Sequence, residues 1–152
     1  MKTIIICLLV FASVSSAMAQ NSNPKYDVAL AQKLGADQYG MKSYILVILK
    51  TGSNNNPGKA FRDSCFAGHM RNIRHLVTTG KMIVAGPFEK NEKNFRGLFI
   101  LNAATFAEAD SLLEADPTVK EKIFDTEMYN WYGSAALPAY LEVSDKIWKS
   151  RP

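Results

Sequence analysis

Two histidines, His69 and His75, stand in the stretch Ala60 to Thr79. Imidazole is the side chain best suited to moving protons near neutral pH. Wound as a helix advancing about 100° per residue, this stretch sets Phe66, Met70, Ile73 and Val77 on one apolar stripe. His75 then points to the opposite side, toward solvent. His69 falls on the flank of the stripe with Arg62, Cys65 and Leu76, where a helix borders a cleft. A histidine there either reaches a ligand or hydrogen-bonds a backbone carbonyl. Asp116, immediately before Pro117, has two readings as well. It terminates a helix and bonds nearby amides, as aspartate does in turns, or it orients and charge-stabilises a histidine, as the carboxylate of an acid–base pair does. Nothing local decides between them. Cys65 precedes His69 by one helical turn, a spacing at which a Cys–His nucleophile pair is geometrically conceivable but seldom productive on a single helix.

The absences narrow the chemistry. There is no glycine-rich phosphate loop, no G-x-S-x-G and no H-E-x-x-H. One histidine and one carboxylate are too few ligands for a metal site, so neither a metal nor a cofactor is expected.

The elements that must position these residues follow from pattern. Ser43–Lys50 is short, apolar and β-branched, a strand covered on both faces. Thr51–Gly58 is a loop, and Ala60–Thr79 is the long helix, stopped at Gly80. Met82–Ala85 is a strand broken by Gly86-Pro87, and Phe88–Arg96 connects it as a hairpin to a strand at Gly97–Leu101. Thr105 and Glu108 have capping-box spacing and open a second helix, with Phe106, Ala109 and Leu113 as its buried positions. That helix ends at Asp116-Pro117. Ile123–Tyr132 is the last strand, followed by a tail helix reaching Trp148. Tyr26–Lys33 forms a short helix ahead of this core. The order strand, helix, strand, strand, helix, strand is the split βαβ, or ferredoxin-like, α+β arrangement, with helices on one face of an antiparallel sheet. The other face also needs cover. A second copy of the chain is the usual solution, so a homodimer is expected; the tail helix is the alternative cover.

The chain start reads as an export signal. Lys2 supplies a positive charge, Ile4–Phe11 an apolar run, and Ala17-Met18-Ala19 a small-x-small cleavage site. The expectation is a signal peptide over 1–19, a mature chain beginning at Gln20, and a secreted or periplasmic protein with no membrane anchor after cleavage. Cys7 leaves with the signal, so Cys65 remains alone and forms no intrachain disulfide. The expected organisation is an N-terminal extension over 20–42, one domain over 43–133 and a C-terminal extension over 134–152. At 152 residues, 47% hydrophobic and 21% charged, the chain has the composition of a globular protein. Its formal charge of +4 is scattered among acids without a basic tract, which argues against nucleic-acid binding.

Four segments together resemble the YciI-like family, described by its YCII-related domain. They are Ala67-Gly68-His69-Met70-Arg71-Asn72-Ile73, Gly80 to Pro87, Arg96-Gly97-Leu98-Phe99-Ile100, and Ala115-Asp116-Pro117. The resemblance runs from about Tyr44 to about Tyr132. It implies a ferredoxin-like, dimeric α/β-barrel fold and a histidine–aspartate pair in a cleft, matched here by His69 and Asp116. It also implies that Gly86 and Pro87 form a turn beside the pocket. The family is similar to muconolactone-isomerase-like proteins in fold. Its activities are mostly unproven, and this chain departs from the common member in its export signal and its terminal extensions. The expected function is a small exported lyase or isomerase in which His69 is the general acid/base and Asp116 fixes its tautomer. Arg62 or Arg96 would hold an anionic group of a small-molecule substrate, and Tyr132 and Trp131 would line an apolar wall. The alternative is a non-enzymatic module that binds a small ligand in a vestigial site.

Overall fold

The computed structural model describes residues 23–150. The proposed signal, 1–19, lies outside the described residues. In chain order the elements are α1 (Val28–Leu34), β1 (Met41–Thr51), α2 (Lys59–Thr78), β2 (Met82–Pro87), β3 (Phe95–Leu101), α3 (Phe106–Glu114), α4 (Pro117–Lys120) and β4 (Phe124–Ser134). A 3-10 turn at Leu137–Tyr140 and a short α5 (Leu141–Ser144) close the chain.

The four strands form one sheet in the order β2-β3-β1-β4, every neighbouring pair antiparallel. That is the ferredoxin-like order read from the sequence. β1 is central because it is apolar on both sides. Ile45, Val47 and Leu49 pack toward the helices with Phe99, Leu101, Cys65, Leu76, Ala109 and Leu113. Tyr44 and the half-buried Leu46 face the other way with Ile83 and Ile100. Each large apolar side chain closed off in the main core contributes about 1.5–3 kcal/mol.

Three expectations need correction. The buried face of α2 does not run through Phe66, Met70, Ile73 and Val77. It runs through Cys65, Gly68, His69, Asn72 and Leu76, about 100° further round the helix. Counting apolar side chains missed it because three of these five positions are polar or glycine. Phe106, expected in the core, is exposed, while Ala109 and Leu113 are buried as expected. Gly86-Pro87 does not break β2: Gly86 pairs with Leu98 and Pro87 with Gly97. β2 is an edge strand, where proline's missing N–H costs no ladder bond.

The second face of the sheet is covered in part by the C-terminal extension. Leu137 packs on the Tyr44–Ile83–Ile100 cluster, and the Tyr140 hydroxyl donates to the carbonyl of Ile83 on the edge strand. The tail thus crosses the face, wraps the β2 edge and reaches the outer side of α2, where Leu141 and Trp148 border a groove with Met70, Ile73 and Val77. Those apolar residues of α2 therefore have a partner other than the main core. At the other end, Asp37 ties the N-terminal extension down. Its side chain accepts from the amides of Tyr39 and Met41 and from the Tyr132 hydroxyl.

Candidate active site

The site starts from a close approach of two helices. Asp116 is the N-cap of α4, with Pro117 following at the first helical position, an arrangement that suits both residues. α4 packs on α2 at Gly68, where an added Cβ would lie 2.5 Å from Cγ of Pro117. Glycine at 68 lets α4 come near enough for the next residue on α2, His69, to touch the cap.

His69 Nδ1 lies 2.6 Å from Asp116 Oδ2. The other carboxylate oxygen accepts from the Thr118 amide at 2.9 Å and the Thr118 hydroxyl at 2.7 Å. The same hydroxyl stands 3.2 Å from His69 Nδ1. Asp116 and Thr118 are fully buried, and His69 is 8% exposed. The two readings of Asp116 are therefore not exclusive, since one oxygen caps the helix and the other meets the histidine. Burial pulls the Asp116 pKa upward, but the His69 hydrogen bond and charge together with the two Thr118 donors outweigh it. The carboxyl is held below its ordinary value of 3.8. An ionised, acceptor-only carboxylate fixes the histidine tautomer: Nδ1 carries the proton and donates it, and Nε2 is left with a lone pair.

Nε2 has no hydrogen-bond partner among the described residues. No buried side-chain nitrogen or oxygen lacks a partner either, so Nε2 retains contact with solvent. The ring around it is held by aromatic neighbours: Phe99 at 5.9 Å, Phe124 at 5.7 Å and Phe66 at 6.1 Å between centroids, the last two edge-on.

Phe66 and Phe124 also wall a cavity of about 420 Å³ lined by Thr51, Asn54, Asn55, Pro57, Arg62, Arg96 and Ile123. Its loop is laced to the segment before β4. The Gly52 and Asn54 amides donate to the carbonyls of Ile123 and Lys122, and the Asn54 side chain donates to the carbonyl of Glu121 at 3.1 Å. A Cβ at Gly52 would run into the Lys122 carbonyl.

Arg62 and Arg96, read from the sequence as substrate-binding, meet in this cavity. Gly86 and Pro87 sit at the same end of the sheet, since Pro87 is level with Gly97 and Leu49. They are exposed strand residues rather than a turn, and they do not line the cavity. Tyr132 is not in the site. It pairs with Ser43, whereas the cavity lies where Phe124 pairs with Thr51, eight residues and roughly 26 Å away along β4. Its hydroxyl serves Asp37 instead. Trp131 packs on Tyr44 at 5.8 Å, on the sheet face away from His69. Cys65 makes no bond to His69. It is buried, and burial, with the charges of Glu121 and Asp116, raises its thiol pKa, which leaves it a core residue. His75 is exposed, as expected.

The sequence reading missed Thr118 and the ring cage of Phe66, Phe99 and Phe124. Asp-Pro-Thr did carry a signal, since aspartate before a helix-initiating proline with threonine two residues on is a capping pattern. The cage had none, because its rings come from α2, β3 and β4. Among the described residues no group of three or more His, Cys, Asp or Glu side chains is placed to hold a metal ion, and no helix is long and apolar enough to cross a membrane.

Fold and site together define a ferredoxin-like α+β domain with a histidine–aspartate pair beside a cleft at one end of its sheet. The model of the YCII-related domain matches residues 44–131, and the chain belongs to that family. No curated protein matches it. Among solved structures it is similar to 5-chloro-2-hydroxyhydroquinone dehydrochlorinase from Burkholderia phenoliruptrix, solved in complex with 2,5-dihydroxybenzoquinone. The identity is 25% and the TM-score 0.41, over 57% of this chain and 92% of that one.

Proposed function

We propose that the protein is a small-molecule enzyme of lyase or isomerase type whose acid–base group is Nε2 of His69. One observation carries the reading: Nδ1 is engaged by Asp116 at 2.6 Å while Nε2 keeps solvent contact. In this arrangement Nε2 removes a proton from a carbon or hydroxyl of the bound substrate. The imidazolium that forms is stabilised by the Asp116 carboxylate, and the same nitrogen returns the proton at the product position. Thr118 holds the carboxylate in place and does not touch substrate. No cofactor enters this cycle.

The competing reading is a ligand-binding module with a vestigial pair. It is the weaker one, because a vestigial pair has no need of an open Nε2. Nitrogen-15 NMR of the imidazole tests the tautomer. The expected result is a neutral ring protonated at Nδ1, turning to a mixed or reversed tautomer in Asp116→Asn. A ring protonated at Nε2 in the parent would sink the proposal. Turnover is tested by incubating enolisable ketones and hydroxylated ring carboxylates in heavy water and following loss of C–H signals. Exchange that vanishes in His69→Ala supports the enzyme, while compounds that bind without exchange support the module.

We further propose that the chain is exported by cleavage after Ala19 and works as a homodimer outside the cytoplasm. N-terminal sequencing of protein recovered from outside the cytoplasm should begin at Gln20.

A further inference from the structure

We infer that the cavity beside His69 takes a small carboxylate with a flat apolar body, gripped by Arg62 and Arg96 together. The inference rests on the acid–base reading of His69 only for what happens after binding.

Charge balance is the first argument. Two guanidinium groups line the cavity and no acidic side chain does. The four salt bridges among the described residues are made by Lys50, Lys59, His69 and Lys81, so no arginine takes part in any of them. Arg96 spends only Nε, donated to the Thr51 hydroxyl at 2.6 Å. That bond braces the side chain across β1 and leaves its terminal amino groups for a ligand. The Arg62 guanidinium makes no hydrogen bond or ion pair among the described residues; only its backbone amide bonds, to the carbonyl of Gly58. Guanidinium groups present planar donor pairs that match a carboxylate, and here two of them are matched by no carboxylate among the described residues. The N-terminal end of α2 adds to the same sign of potential, since its cap, Gly58, offers no side chain to the first amides.

The shape supplies the second argument. Phe66 and Phe124 meet edge to face at 5.5 Å and, with Ile123 and Pro57, give the cavity apolar walls. At about 420 Å³ it lies in the range of small-molecule sites. A bare inorganic anion would leave those walls unused. A one-ring or similarly flat carboxylate would cover them while its charge meets the arginines. Phe66 and Phe124 are the same rings that pack on His69; His69 does not itself line the cavity, and these two rings are what the cavity and the histidine share.

The test is an equilibrium titration of the nitrogen-15-labelled full-length protein with benzoate, and with benzamide as its neutral counterpart, followed by amide shifts. Benzoate should shift Thr51, Asn54, Asn55 and Phe124 saturably, and benzamide should bind about tenfold more weakly. Arg62→Gln and Arg96→Gln should each weaken benzoate about tenfold, in line with the loss of one charge-assisted hydrogen bond, without changing benzamide. Both arginines are exposed, so the variants should fold, and unchanged amide shifts outside the cavity verify it. Equal binding of the two probes, shifts mapping elsewhere, or arginine variants that bind benzoate like the parent would each overturn the inference. No turnover enters this readout. Failure of the acid–base reading therefore leaves an arginine-dependent result standing, and failure of the arginine effect leaves the His69 tautomer result standing.

Discussion

At the scale of single residues, the economy of the site lies in Asp116. One buried carboxylate caps α4, accepts two bonds from Thr118 and holds His69. Removing it strands three donors in a closed space. Asp116→Ala should therefore cost about 3–5 kcal/mol, the usual penalty for breaking a buried charged pair, readable from urea unfolding. Asp116→Asn keeps the shape and one acceptor, and should cost less. Acid dependence follows with a definite sign. The folded-state pKa of Asp116 is depressed from 3.8, so the unfolded chain binds the proton more readily. The stabilisation is fully present above the unfolded value of about 3.9 and is lost as pH falls through the folded one. Urea unfolding at pH 7 and pH 3 should show that loss in the parent and a smaller loss in Asp116→Asn. An equal loss in both would assign the acid sensitivity to other carboxylates. The pairing of His69 with Asp116 was legible only through family resemblance. The two lie 47 positions apart, and no local pattern announces a bond at that range. Gly68 shows what spacing alone conceals: it reads as a helix-weakening glycine, yet it is the floor on which Pro117 rests.

At the scale of elements, the reading of the strands and helices held because their periods are strong, and it slipped where one residue type serves two ends. The apolar stripe of α2 is real, but it meets the tail and the core margin rather than the core centre. The centre carries Gly68, His69 and Asn72, and hydrophobic counting penalises that composition. Gly68→Ala tests this directly. Its methyl would press on the proline ring, so α2 and α4 must separate. The expected cost is about 1–3 kcal/mol, with loss of the fixed His69 tautomer in the same nitrogen-15 spectrum. An alanine variant with unchanged stability and tautomer would mean that the helix contact is not what sets the pair. The tail, expected as a helix reaching Trp148, is only a 3-10 turn at Leu137–Tyr140 and a single α-helical turn at Leu141–Ser144; its course was not legible either, because wrapping a sheet edge leaves no periodic trace. Tyr140→Phe removes the hydroxyl that donates to the Ile83 carbonyl. It should cost about 1 kcal/mol, against no change for Tyr26→Phe, whose hydroxyl reaches no described partner.

At the scale of the whole molecule, the question is what covers the second face of the sheet. The tail closes the end around Tyr44, Ile83 and Ile100. Beyond it, Leu46 and Leu98 are only half-buried and Tyr129 on β4 is 48% exposed, while β4 is an edge strand whose outer side has no strand partner among the described residues. An apolar face beside an open edge is a surface that soluble proteins cover. A two-fold copy of the same face would cover it with a self-complementary interface. The helices and the His69 cavity lie on the opposite side of the sheet, so pairing this way leaves the cavity mouth free. Sedimentation equilibrium should give twice the chain mass. Leu46→Asp, which puts a charge in the centre of that face without touching the helix-side core, should halve the mass and keep the fold and the His69 tautomer. A parent that stays monomeric at all concentrations would show that the tail suffices as cover. A Leu46→Asp variant that remains dimeric would move the interface off this face, most simply to the tail groove along α2.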